Sequence, residues 1–187
     1  MFSTKVEQLI QILEKQELEA ENGVASPRLY SELFAVYLYK NDLSNCRFLW
    51  KRIPQSIKDG NSELKQMHSV FVSLWNNSSV DFFNAINFEW SQNTAELMFE
   101  LKEKIRNQTI DLIGKAYTSI FENVLIDMAN LPENNVGEIC NSLGWEVDPG
   151  SHPRLIIPKE KHAEHSINTS AQDQLFVLTE FVSFLEN

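Results

Sequence analysis

Cysteine is nearly missing from this chain. Only Cys46 and Cys140 occur among 187 residues, far apart and without a Cys-x-x-Cys partner. That leaves no disulfide framework, and both are expected to be reduced, partly buried thiols. Long apolar runs are missing too, and none approaches the roughly 20 residues that span a bilayer. The first residues, Met-Phe-Ser-Thr-Lys-Val-Glu-Gln, lack the charged and apolar regions of a signal peptide, so an intracellular protein is expected. Positive charge is in short supply: 16 Lys and Arg face 26 Asp and Glu, for a formal net charge of −10. Such a balance gives no electrostatic reason to bind nucleic acid or anionic lipid.

Catalytic signatures are also wanting. The chain has no GxxxxGK[ST] or GxGxxG loop to cradle phosphate, no GxSxG elbow and no HExxH. The nearest metal motif, His162-Ala-Glu-His165, has two imidazoles but no third ligand at a recognisable distance. It also lacks the downstream Pro-Cys-x-x-Cys of zinc deaminases. Cys140 sits in the slot of a helical apolar face, where a thiol is structural rather than nucleophilic. The chain therefore reads as a non-enzyme with no catalytic, cofactor-binding or metal-binding residue.

What is present is helical periodicity. Val6, Leu9, Ile10 and Leu13 form one amphipathic stripe, ending near Asn22-Gly23. Ser26-Pro27 opens a second helix, with a capping hydroxyl and proline at the first helical position. Its stripe is Leu29, Tyr30, Leu33, Phe34, Tyr37 and Leu38. After a turn at Asn41-Asp42, a third helix runs over Leu43, Cys46, Leu49, Trp50 and Ile53 and is stopped by Pro54. Helices so tightly joined, with aromatics on facing sides, are the unit of an α-solenoid. A fourth helix, on Leu64, Met67, Phe71, Leu74 and Trp75, breaks at Asn76–Ser79. A short fifth follows on Phe82, Phe83, Ile86 and Trp90, and the longest runs from about Gln92 to Tyr117.

Beyond Tyr117 the texture changes. Thr118–Phe121 is β-prone, Val124–Leu131 reads as a short helix, and Pro132 starts another that Gly144 closes. Trp145–Asp148 and Arg154–Ile157 read as a hairpin around a turn rich in Pro and Gly. Two short helices and a hairpin are the parts of a winged helix. Many winged helices bind DNA, but no Lys or Arg occurs from Ala116 to Pro153, where six carboxylates do. The one basic cluster, Lys51-Arg52 beside Trp50, complements a helix C-terminus or serves an interface. The hairpin is expected to offer an edge strand around Arg154–Ile157 to a neighbour, through Leu155, Ile156 and Ile157.

Residues 159–169 contain one large apolar side chain, Ile167, and read as a linker. In 175–185, by contrast, eight of eleven residues are large and apolar. At about 100° per residue, the polar side chains there fill a wedge of roughly 120°. A helix so apolar needs neighbours on several sides. Either it packs into its own core or it enters a bundle supplied by other chains, with Leu175, Leu178, Phe181, Val182 and Leu185 as contacts. The expected organisation is a mainly α chain: a helical-hairpin, solenoid-like subdomain (1–117), a winged-helix subdomain (118–158), a linker (159–169) and a C-terminal bundle helix (170–187).

That order of parts is the order of a PCI domain. Gln16-Glu-Leu-Glu-Ala20, Arg47-Phe-Leu-Trp-Lys-Arg-Ile-Pro54, Asn61-Ser-Glu-Leu64, Ala116-Tyr-Thr-Ser-Ile120, Gly144-Trp145 and Phe184-Leu-Glu-Asn187 carry a closer likeness. Together they resemble the subunit 8 family of the COP9 signalosome. The resemblance implies a non-catalytic scaffold within a complex that removes Nedd8 from cullins, with the metalloprotease on another chain. It implies other signalosome subunits as partners, subunit 3 through the winged helix and several through a C-terminal helical bundle. A nuclear and cytoplasmic location follows from it as well. Alternatives are a small PCI subunit of the proteasome lid or of initiation factor 3, or a nucleic-acid-binding winged-helix protein.

Overall fold

The computed structural model describes residues 2–20, 23–132, 135–148, 150 and 153–159, with 175–176, 178–179 and 181–182 in the C-terminal stretch. The first helix, α1 (Phe2–Leu18), lays its stripe of Val6, Ile10 and Leu13 on α2 (Pro27–Lys40). Ser26 accepts a hydrogen bond from Leu29 N at 3.3 Å, and Pro27 follows at the first helical position. The hydroxyl thus satisfies an amide that has no partner within the helix. At the other end Asn41 takes a left-handed conformation, φ 61°, and its N–H returns to the last turn. Tyr37 donates its hydroxyl to Glu14 Oε1 at 2.7 Å, fastening α2 to α1.

α2 is the centre of the helical array. It touches α1, α3 (Leu43–Arg52), α5 (Ser62–Trp75) and α7 (Ala95–Ala116). Surrounded this way, Leu33 to Leu38 are buried without a break. Each large side chain in that run contributes about 1.5–3 kcal/mol by leaving water. Phe34 meets Trp50 and Phe71 edge to face, at centroid distances of 6.3 and 6.4 Å. Lys104 of α7 donates to the Tyr39 carbonyl at 2.7 Å, a second fastening across the array.

Two features of this region differ from the sequence expectation. Pro54 does stop α3, but it also caps a further short helix, α4 (Gln55–Gly60). Proline fits a helix start, where no intrahelical amide partner is needed, so one residue serves as both stop and start. The fifth expected helix, α6 (Ser79–Ile86), ends before Trp90. The Trp90 indole N–H donates to the Ile86 carbonyl at 2.9 Å, satisfying the end of the helix instead of extending it. Thr94, fully buried, donates to Glu63 Oε1 at 2.6 Å, and Ser91 N and Oγ donate to the same oxygen. The approach to α7 is therefore pinned to the first turn of α5.

The hydrophobic interior falls into two clusters. One runs from Val6 to Leu101 and the other from Ile110 to Ile156. Both are lined by α7, through Leu97, Met98 and Leu101 in the first and Ile110 and Ile113 in the second. The interior divides within α7, ahead of the 117/118 boundary drawn from composition.

The second cluster is built by β1 (Ile120–Phe121), α8 (Glu122–Ala129), α9 (Val136–Leu143), β2 (Glu146–Asp148) and β3 (Leu155–Ile157). The strands form an antiparallel sheet in the order β1-β3-β2. This unit is thus a strand, two helices and a returning hairpin, with the last strand in the middle of the sheet. Gly144, at φ 71°, closes α9, and its left-handed conformation suits a residue without Cβ. Trp145 is buried against the cluster, and its indole N–H donates to the Lys159 carbonyl at 3.0 Å. α8 packs on α6 and α7, joining this small unit to the array.

Candidate interaction surfaces

The order of the sheet corrects one expectation. β3 is not an edge strand, because β1 occupies its outer side: Ile120 pairs with Ile156 and Phe121 with Leu155. Both hydrogen-bonding sides of β3 are already in use, so Arg154–Ile157 cannot add a neighbour's strand. The edges are β1 and β2.

Register also divides the three expected contact residues of β3. Ile156 stands in a row with Ile120 and Val147, and it is fully buried in the second cluster. Leu155 stands in a row with Phe121 and Asp148, and Ile157 opposite Glu146. Side chains alternate along a strand and share a face across a ladder, so these rows lie on the outer face. Phe121 is 47% exposed there and Ile157 37%, while Leu155 is half-buried. The sheet thus presents apolar side chains outward between the carboxylates of Glu146 and Asp148. Phe121 was absent from the expected contacts. A two-residue strand leaves no alternation in the sequence to announce it.

The electrostatics of this small unit are settled by ion pairs. Arg154 lies 3.5 Å from Glu122, and Lys159 donates to Glu146 at 2.6 Å. That Lys159 hydrogen bond and charge hold the Glu146 carboxyl below its usual range. Arg106, from α7, bonds Glu103 and the carbonyls of Ala129 and Asn130. The exposed positions of α9 are Gly137, Glu138, Asn141 and Ser142. No cation on it could meet a phosphate.

The apolar C-terminal residues are in view as well. Leu175, Phe176, Leu178, Thr179, Phe181 and Val182 are helical. Leu175, Phe176, Leu178 and Phe181 are 63–66% exposed and Val182 48%. Thr179 turns its hydroxyl back to the carbonyls of Leu175 and Phe176, at 2.8 Å each. None of these side chains belongs to either hydrophobic cluster. Leu185, also expected as a contact, lies outside the described residues. So do the His162-Ala-Glu-His165 motif and the greater part of the 159–169 linker.

Elsewhere the chemistry is that of a packed interior. Cys46 and Cys140 are fully buried and free. Burial pushes both thiols up, aided by Asp42 at Cys46 and by Glu122 at Cys140, so both stay protonated at neutral pH. Among the described residues no three His, Cys, Asp or Glu are grouped to hold a metal. No helix among them is long and apolar enough to cross a membrane. Arg52, half of the expected basic cluster, is held by Glu17 through two bonds of 2.6 and 2.7 Å.

A helical-hairpin array joined through a shared helix to a strand, two helices and a hairpin is the architecture of PCI-type helical chains. The model of the CSN8/PSMD8/EIF3K family matches residues 25–166. COP9 signalosome complex subunit 8 of Danio rerio is 36% identical over 191 aligned residues, covering 100% of this chain and 97% of its own. The subunit of that name in Drosophila melanogaster is 34% identical, with 100% of each chain covered. That of Arabidopsis thaliana is 27% identical over 81% of this chain and 76% of its own. The chain belongs to the CSN8/PSMD8/EIF3K family.

Proposed function

We propose that this chain is a non-catalytic scaffold subunit of the COP9 signalosome, the complex that removes Nedd8 from cullins. In this reading the outer face of its sheet, with Phe121, Leu155 and Ile157, meets a neighbouring PCI chain. Signalosome subunit 3 is the proposed neighbour. The C-terminal helix, through Leu175, Leu178, Phe181, Val182 and Leu185, enters a helical bundle contributed by several subunits. The deneddylase activity resides in another chain, and the protein works in the nucleus and the cytoplasm.

The observation that carries the reading is the exposed apolar C-terminal helix on a chain alike end to end to signalosome subunit 8 proteins. Burying such a surface is favourable by about 25 cal/mol per Å², so it stabilises a complex that covers it. Affinity purification of the tagged full chain, with identification of co-purifying proteins, tests it. Signalosome subunits including the deneddylase are expected. Recovery of proteasome-lid or ribosome-associated proteins without the deneddylase would overturn the assignment in favour of the other branches of the family.

A further inference from the structure

One stretch of this acidic chain, well before the sheet and the tail in sequence, has a clear excess of positive charge. Leu43–Trp75 holds five cations, Arg47, Lys51, Arg52, Lys58 and Lys65, against Asp59 and Glu63. The rest of the chain has eleven cations and twenty-four carboxylates. The carboxylates in and around this stretch are already engaged. Glu17 holds Arg52, Asp59 lies 3.9 Å from Lys65, Glu63 receives Ser91 and Thr94, and Asp42 caps α3. Arg47, Lys51 and Lys58 have no carboxylate partner among the described residues.

Arg47 and Lys51 line an aromatic groove between α3 and α5, and Lys58 stands over Trp50, which also lines it. The volume of the groove is about 330 Å³, and Arg47, Trp50, Lys51, His68 and Trp75 line it. Trp50 and His68 are stacked at 4.2 Å with 21° between their planes. Burial, with Lys58 beside it, holds His68 below its ordinary value, so the ring is a neutral platform at pH 7. Arg47 lies over the Trp75 ring at 5.6 Å from its centroid, and Lys58 over Trp50 at 4.8 Å. A guanidinium lying on an indole keeps its N–H edge free for a carboxylate. Trp75 is itself 50% exposed, a large aromatic left uncovered in the groove with Arg47 and Lys51.

Scaffold assembly through the sheet and tail makes no use of this groove. We propose that it docks an extended acidic segment of a partner protein. One aromatic side chain of that segment sits against Trp50, His68 and Trp75, and flanking carboxylates meet Arg47, Lys51 and Lys58. The volume suits such an anchor, being near the lower end of the roughly 300–1,000 Å³ of ligand pockets. Aromatic and Arg side chains at the centre of a small pocket are the usual energetic centres of peptide and protein interfaces. Charge favours a peptide over a nucleic acid. Three cations neutralise only a few phosphates, and a strand continuing past the groove meets a surface of strong negative excess.

Binding of the full chain to a labelled short peptide, one Phe between paired acidic residues, tests the proposal by fluorescence anisotropy. Saturable binding is expected, weakened at least about tenfold by combined Arg47→Glu and Lys51→Glu, as opposed charges replace attractive ones. Trp75→Ala is expected to weaken it by a similar factor. Replacing the peptide's Asp and Glu with Asn and Gln should do the same from the other side. Equal binding of the neutral peptide, or undiminished binding by the charge-reversed pair, overturns the proposal. Tighter binding of an oligouridylate of the same length overturns it in favour of nucleic acid. Arg47 and Lys51 are exposed, so that pair leaves folding intact and decides the matter even if Trp75→Ala lowers the melting point.

Discussion

Two helical stretches of this protein are almost equally apolar and have opposite surroundings. In α2, Leu33 to Leu38 are 0–3% exposed, enclosed by α1, α3, α5 and α7. In the C-terminal stretch, the described apolar residues Leu175, Phe176, Leu178, Phe181 and Val182 are 48–66% exposed. Composition alone does not separate the two. The separation comes from topology: α2 sits between elements near and far in sequence, and the described tail residues follow β3 and belong to neither hydrophobic cluster. An apolar helix needs neighbours on several sides. α2 has them within the chain, and the described apolar side chains of the tail do not.

The largest expected effect lies at the enclosed end of that contrast. Phe34→Ala removes a fully buried ring and its edge-to-face partners Trp50 and Phe71. A loss of about 3–5 kcal/mol is expected from transfer and cavity terms together. Urea unfolding followed by circular dichroism measures it. A shift below about 1 kcal/mol would show that the array can collapse around the void, and that α2 is less constrained than its burial implies.

Within the small subdomain the same contrast is drawn across adjacent residues of one strand. Ile156→Ala empties a slot in the second cluster and is expected to cost about 3 kcal/mol. Ile157→Ala, on the outer face, is expected to cost less than about 1 kcal/mol in the isolated chain. Equal losses at the two positions would contradict the register that puts Ile156 inward.

Much of this arrangement is readable from residue types. Ser26-Pro27, Asn41-Asp42 and Gly144 punctuate helices through local capping chemistry, and local chemistry survives in any tertiary context. The stripes of α1 and α2 likewise match their buried and half-buried residues, and that of α5 does as far as Leu74, whereas its last expected member, Trp75, is 50% exposed. What stayed hidden depends on partners distant in sequence. Trp90 continues an apolar rhythm, yet its indole caps α6. β3 has the look of a terminal edge strand, because nothing in the β-prone Thr118–Phe121 stretch tells which strand it pairs with. The pair Lys51-Arg52 stands out beside Trp50. Only folding shows that Arg52 belongs to Glu17 while Lys51 faces the groove with Arg47, His68 and Trp75.

A smaller effect attaches to the surface ion pair behind the hairpin. Lys159 bonds Glu146 at 2.6 Å and depresses its carboxyl. A group whose pKa is lower folded than unfolded adds stability above its unfolded value, about 4.3 for Glu. That contribution disappears as the pH falls through the folded value. Replacing Lys159 with Met removes the cation and leaves the backbone carbonyl that receives Trp145. Between about pH 6 and pH 3 the wild type should therefore lose slightly more thermal stability than Lys159→Met. Parallel melting curves at each pH compare the two, and identical slopes would show that the pair contributes nothing.

The smallest effect on the isolated chain is expected in its exposed apolar C-terminal stretch. Combined Leu178→Ser and Phe181→Ser substitutions touch side chains that are 63% and 66% exposed. Neither side chain completes either hydrophobic cluster. Their removal should change unfolding free energy by no more than about 0.5 kcal/mol, the usual range for surface positions. Under the proposed function, incorporation into the holo-complex should suffer far more, because burial there would supply the neighbours that α2 has within the chain. Size-exclusion co-elution with the other subunits, set beside the melting point of the free chain, separates the two outcomes. A melting point several degrees lower would mean that the tail packs on its own domain in solution, and the contrast with α2 would vanish. An unchanged melting point with lost co-elution would place the tail's stabilising contacts on other chains.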